Sequence, residues 1–218
     1  MLYLFRDKNT MSPVYIVNNA FPPEMCDEII KIYKDKTATA THQGDDGEIV
    51  TSTKDGPRNS SVAWFRDQNV HAHLWEFVQA ANWQTGWRYD IKDSELFQFT
   101  KYEGATKQHY NWHIDGCGCH HAARNHVFGE SKNLTEINQA SLAGTVRKIS
   151  VSAILNDGFK GGDFEVSFLD NSEYVTRKIK AKKGDVLVFP SYLRHRVAPV
   201  TKGTRYSEVA WFGGPPFK

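Results

Sequence analysis

The chain has 218 residues, 40% hydrophobic, 13% aromatic and 24% charged, with a formal charge of +2. That apolar content supplies a real core and excludes wholesale disorder, no run approaches the roughly 18 apolar residues of a membrane-crossing helix, and near-neutral charge gives no support to a polyanion binder. Three cysteines (Cys26, Cys117, Cys119) cannot all pair within one chain, and the opening segment is too short and too soon charged for a signal peptide, so reduced thiols and a cytoplasmic location are expected.

Residues 14–17 read as a short strand. Pro22-Pro23-Glu24 then opens a helix, since proline is tolerated in a first turn and Glu24, Asp27 and Glu28 suit the positive end of the dipole. Cys26, Ile29, Ile30 and Tyr33 form one stripe at helical spacing. Residues 37–60 are polar and turn-rich and predict a long loop or hairpin, followed by a strand at 61–65. A second helix is expected over 68–83, with Val70, Leu74, Phe77, Val78 and Ala81 on its apolar face. From residue 87 the texture changes to short β-type runs at 96–102, 148–155, 163–169, 174–180, 185–189, 195–200 and 205–212, most of them separated by turn dipeptides. Lysines 178, 180, 182 and 183 fit a solvated edge strand and its turn. Residues 116–146 carry no strong period and predict a long loop of the kind that forms lids or binding segments. The class is mainly β with N-terminal helices (α+β), and many short strands at this spacing mean a sandwich, barrel or jelly roll. One domain over 1–218 is expected, with helical support in 1–86 and the β core in 87–218.

The chemistry concentrates at Tyr110-Asn111-Trp112-His113-Ile114-Asp115-Gly116. In an extended strand His113 and Asp115 point to the same face, so an imidazole and a carboxylate can meet one ion. Alone this is weak, because about 0.6 His-x-Asp matches arise by chance in a chain of this composition. The run from Gly184 to Val200 adds a turn, a buried strand and a Pro190-Ser191 break that deliver His195 to the start of another strand. Two neutral imidazoles and one carboxylate suit a divalent first-row metal with open positions, as in non-haem Fe(II) oxygenases. Arg205, Ser207, Val209 and Trp211 then share one strand face, and an inward arginine there needs an anionic partner. A dicarboxylic co-substrate gripped at its far end is such a partner.

The series His113-x-Asp115, Gly161-Gly162-Asp163-Phe164, Phe189-Pro190-Ser191, His195-Arg196-Val197 and Gly203-x-Arg205 resembles the prolyl 4-hydroxylase-like branch of the Fe(II)/2-oxoglutarate-dependent dioxygenases, over roughly residues 95–212. The resemblance implies a double-stranded β-helix (jelly-roll) core. It implies Fe(II) held by His113, Asp115 and His195, with O2 as oxidant and 2-oxoglutarate chelating the metal and reaching Arg205. It also implies Tyr102 as a co-substrate contact, Ser207 as a second polar position beside Arg205, and L-ascorbate as an optional reductant. Collagen-type members carry lysine where Arg205 stands, and nucleobase demethylases carry a second arginine where Trp211 stands, so the chain looks closer to the short stand-alone hydroxylases and away from nucleic acid. The expected activity is hydroxylation of an unactivated C–H, on a prolyl residue of a peptide or protein. The alternatives are a free amino acid or small metabolite as substrate, or a non-redox jelly-roll module that keeps a metal for ligand capture. Oligomeric state is open.

The remaining histidines and cysteines read as bland. Cys117-Gly118-Cys119-His120-His121 lacks zinc-site spacing and a second cysteine pair. His71 and His73, two apart on a helix, do not face each other and read as surface. His109 alternates with His113 and reads as a polar strand residue.

Overall fold

The computed structural model describes residues 6–7, 10–11, 13–43, 49–116, 142, 144–170 and 172–217. The Cys117–His121 cluster and most of the 116–146 segment therefore lie outside the described residues.

The first described element of the core is β1 (Tyr15–Val17), followed by α1 (Pro23–Tyr33), β2 (Ala38–Thr39), β3 (Arg58–Asn59), β4 (Ser61–Phe65) and α2 (Gln68–Gln84). After these come β5 (Asp93–Ser94), β6 (Phe97–Glu103), β7 (His109–His113), β8 (Val146–Ile154), β9 (Phe164–Asp170), β10 (Glu173–Ile179), β11 (Val186–Pro190), β12 (Arg194–Val197) and β13 (Thr204–Gly214). Both helices fall where the apolar stripes place them. In α1, Cys26 and Ile29 are buried, and burial lifts the Cys26 thiol to about 11. In α2, Val70, Leu74, Val78 and Ala81 are buried, and Asp67 caps the helix by accepting the Asn69 and Val70 amides at 2.8 and 3.0 Å. His71 is not a free surface residue: it pairs with Asp93 at 3.1 Å and stacks on Trp75, because its helix face meets β5.

The strands form two antiparallel sheets. The larger has eight strands, in the order β1-β11-β8-β13-β6-β4-β2 with β5 beside β13; the smaller has five, ordered β10-β9-β12-β7-β3. From β6 onward the chain passes back and forth between the sheets, with only the β9–β10 hairpin staying in one, which is the signature of a jelly roll. Strands from residues before 87 enter both sheets, so the N-terminal part contributes edges as well as helices. The polar 37–60 segment holds β2 and β3, and Thr41–Gln43 pairs with Ile49–Thr51 as a ribbon.

Two apolar layers result. One lies between the helices and the large sheet and contains Phe97, Phe99, Ile149, Val151, Val186, Val188, Ala210 and Phe212. The other lies between the sheets and contains Tyr102, Phe164, Val166, Leu187, Phe189 and Val197. The run Val186 to Phe189 is apolar throughout because β11 is central and buried on both faces. Elsewhere the inner face of the large sheet departs from that rule. Gln98, Thr100, Ser150, Ser152, Arg205 and Ser207 are all buried there. A polar floor between two packed sheets is what a ligand site requires.

Candidate metal centre and co-substrate site

His113 and His195 stand directly opposite each other in the β7–β12 register. A bulge between Tyr110 and His113 sets that facing, since an extra residue re-aims the side chains that follow. Asp115 lies just past the end of β7. The Ser191 carbonyl holds it by accepting the Asp115 and Gly116 amides at 2.9 and 3.1 Å, which explains the Pro190-Ser191 break in the sequence.

The three side chains converge. His113 Nε2 is 3.6 Å from Asp115 Oδ1, His195 Nε2 is 3.5 Å from Asp115 Oδ2, and the donor atoms of all three lie within 4.8 Å of one another. Two ligands about 2.1 Å from one ion and at right angles stand about 3 Å apart, so these separations suit a shared ion. Each Nδ1 donates to a backbone carbonyl, His113 to Asn111 at 2.7 Å and His195 to Leu193 at 2.8 Å. That tautomer turns the Nε2 lone pairs toward Asp115. Packing locks the rings: Tyr110 stacks on His113 at 3.6 Å, and Phe189 meets His195 edge-on at 4.8 Å.

Charge states agree with a ligand role. Burial and the neighbouring His195 hold His113 down at about 3, so it is neutral near pH 7. Burial pushes the Asp115 carboxyl up, but His195, His113, Arg147 and the Ser150 hydroxyl outweigh it and keep the group at about 2.

Arg205 is 1% exposed and lies on the floor beside this cluster. Its Nη1 donates to Ser207 Oγ at 2.8 Å, while Nε and Nη2 have no hydrogen-bond partner. Tyr102 is directly opposite in the β6–β13 register, with its ring 5.6 Å from the guanidinium. Burial lowers the Arg205 pKa, and among the described residues its one hydrogen-bond partner is the Ser207 hydroxyl, not a carboxylate. The Gly161-Gly162 motif acquires a reason here. Gly162 has φ +67°, and a Cβ on it would stand 2.9 Å from Arg205 Cδ. His109, by contrast, turns away: its ring nitrogens lie 3.1 Å from the Lys107 carbonyl and 3.2 Å from that of Gly56.

Other residues at the centre carry no periodic or motif signal. Arg58 is buried, donates to Ser60 and to the Thr41 carbonyl, leaves Nη2 unpartnered, and lies over Tyr110 at 4.6 Å. It comes from the polar 37–60 stretch, where nothing in the sequence distinguishes a buried arginine from a solvated one. Glu95 and Arg147 pair beside Asp115, from segments far apart in the chain.

A family description, the 2OG-Fe(II) oxygenase superfamily, matches residues 97–213, more than half of the chain. The chain belongs to that superfamily. The match takes in both histidines, Asp115, Arg205 and, of the large sheet, β6, β8, β11 and all but the last residue of β13. A PKHD-type hydroxylase of Xylella fastidiosa (strain M12) is 33% identical over 88 residues, 39% of this oxygenase chain and 36% of the relative. The matched stretch thus spans about a third of that relative's length. Among solved structures, a Pseudomonas putida prolyl-4-hydroxylase superposes with a TM-score of 0.60 at 17% identity, covering 92% of this chain and 91% of that one. The viral collagen prolyl hydroxylase of Paramecium Bursaria Chlorella virus-1, as its 2OG complex, gives 0.59 at 17% identity over 93% and 97%. The fold is therefore that of these oxygenases across nearly the whole chain. No helix among the described residues is long and apolar enough to cross a membrane.

Proposed function

We propose that this chain is an Fe(II)- and 2-oxoglutarate-dependent dioxygenase that hydroxylates a prolyl residue of a peptide or protein. His113, Asp115 and His195 would hold the metal, and Arg205 would take the distal carboxylate of the co-substrate. The observation that carries the reading is Arg205, a wholly buried guanidinium with two N–H groups unpartnered beside a His-Asp-His cluster. A buried unpaired charge is very costly, and an anion bound at each turnover accounts for its retention. A metal-holding module with no such anion has no use for it.

When bound, the iron would supply the oxidising chemistry, in which one atom of dioxygen enters the succinate formed from 2-oxoglutarate with loss of carbon dioxide and the other converts a C–H to C–OH. The protein's own part is to place and to dry the site. Ser207 fixes one edge of the Arg205 guanidinium and leaves the other free for a carboxylate. Tyr102 borders that anion position, and burial raises its pKa, so it stays a neutral phenol able to donate. Phe164, Phe189 and Tyr110 wall the histidines from water.

The peptide assignment draws on the relatives, two of which are named as prolyl hydroxylases, one of them for collagen. The unpartnered Nη2 of Arg58, beside the Tyr110 ring, is a donor suited to a substrate backbone carbonyl. A buried free thiol at Cys26 suits a reducing compartment such as the cytoplasm. The test is an anaerobic titration with Fe(II) and then 2-oxoglutarate, followed by visible absorption, and then succinate release with a proline-rich peptide. An absorption band that needs both additions, with succinate rising on peptide addition, is the expected result. Iron binding without that band removes the co-substrate role, and succinate indifferent to peptide removes the peptide.

A further inference from the structure

We infer that Arg147, braced by Glu95, is a positioning residue for the Asp115 ligand; this rests on the metal reading proposed above. Asp115 is past the end of β7, where no strand ladder fixes its backbone. Its amide is held by Ser191, and its carbonyl accepts a hydrogen bond from Arg147 Nη1 at 3.3 Å. The two contacts set the backbone from which the carboxylate reaches both imidazoles.

A lone arginine would be a poor clamp, since its long stem spreads over many rotamers. Here its other edge is fixed. Nε donates to Glu95 Oε1 and Nη2 to Glu95 Oε2, both at 2.7 Å, which is the bidentate fork that sets the guanidinium plane. The Trp211 ring lies 4.0 Å from the guanidinium and closes another direction. On the near side a Cβ at Gly116 would stand 3.1 Å from Arg147 Cβ, so the Asp115–Gly116 backbone rests on the arginine stem. All three nitrogens are thereby committed, two to Glu95 and one to Asp115. Glu95 also keeps the guanidinium from swinging onto the Asp115 carboxylate, where it would compete with the ion.

A pair that served stability alone would leave metal affinity untouched, and that separates the two roles. Metal affinity is measured anaerobically by calorimetry with Fe(II), and with Co(II) to read the visible ligand-field spectrum, on the full chain and on Glu95→Gln, Arg147→Met, Arg147→Lys and the Glu95→Gln/Arg147→Met double variant. Melting in chelator reports the fold separately. The expected result is about 10- to 100-fold weaker metal binding in each single variant, an altered Co(II) spectrum, and a double variant weaker than Arg147→Met by less than the two losses multiplied. Arg147→Lys keeps the charge but cannot reach both partners, so it folds and still binds weakly. Metal affinity equal to that of the parent in folded variants overturns the positioning role, as do independent, multiplying losses. A parent chain that binds no ion overturns the metal reading itself, a different failure from variants that match a parent that binds.

Discussion

The two faces of the large sheet are made by the same strands and have opposite characters. Toward the helices β6, β8 and β13 present Phe97, Phe99, Ile149, Val151, Ala210 and Phe212, a dry layer. Toward the small sheet they present Gln98, Thr100, Ser150, Ser152, Arg205 and Ser207, equally buried and polar. Period-two alternation usually separates core from solvent. Here it separates a layer that stabilises from one that binds, and the binding layer is tolerable because its groups bond each other, as Gln98 does Thr100 at 2.8 Å and Ser150 does Ser191 at 2.9 Å. One residue breaks each pattern. Glu208 is a fully buried carboxyl on the dry face, with neither oxygen partnered, and Arg205 is the under-satisfied cation on the other.

The comparison predicts that binding and stability are separable by face. The largest effect is on the polar side: His195→Ala should abolish metal-dependent 2-oxoglutarate consumption, and retained turnover would refute the site. On the dry side Phe99→Ala should cost about 3–5 kcal/mol in urea unfolding while metal affinity in the folded protein stays put. Glu208 should impose a pH dependence on stability. Burial raises its carboxyl from 4.5 to about 8, with the Asp67 charge adding to the rise. The native state then keeps a proton that the unfolded chain releases, so stability falls as pH rises from about 4.5 to about 8 and levels off above. Glu208→Gln should remove that fall, seen by comparing melting at pH 5.5 and 8.5; an unchanged slope would show that the carboxyl has a partner. The smallest effect is the most pointed. Arg205→Met should weaken 2-oxoglutarate binding by about 1.5–3 kcal/mol, the worth of a charged hydrogen bond, without lowering the melting temperature of the unliganded protein.

Much of this was legible in advance. Helical spacing located α1 and α2 to within a residue or so, since each stripe faces one sheet. The strands from 96 onward lie within two residues of the β-type runs, except that β7 and the two-residue strand Lys160–Gly161 fall in none of those runs and that 195–200 divides into β12 and a separate short strand, Val200–Lys202. Pro199 has no N–H to give to the ladder and marks the break. His113, His195 and Arg205 come together because each sits in a local run whose strand phase can be read, whereas Asp115 lies past the end of β7 and is placed by the Ser191 carbonyl, a contact that strand alternation does not show. Arg58, Glu95 and Arg147 were missed for the opposite reason. Each lies in a segment with no diagnostic pattern, and what makes it matter is a partner distant in the chain. The bulge in β7 was also invisible, although the facing of the two histidines depends on it.

That facing has a consequence for the folding of the molecule. His113 and His195 belong to neighbouring strands whose connection runs through β8, β9, β10 and β11. An ion shared between them would act as a removable staple across a very long chain loop, and its free energy would add directly to that of the native state. At one hundred times its dissociation constant the ion would contribute about 2.7 kcal/mol. Iron supply would then govern how long the protein survives, as well as how fast it works.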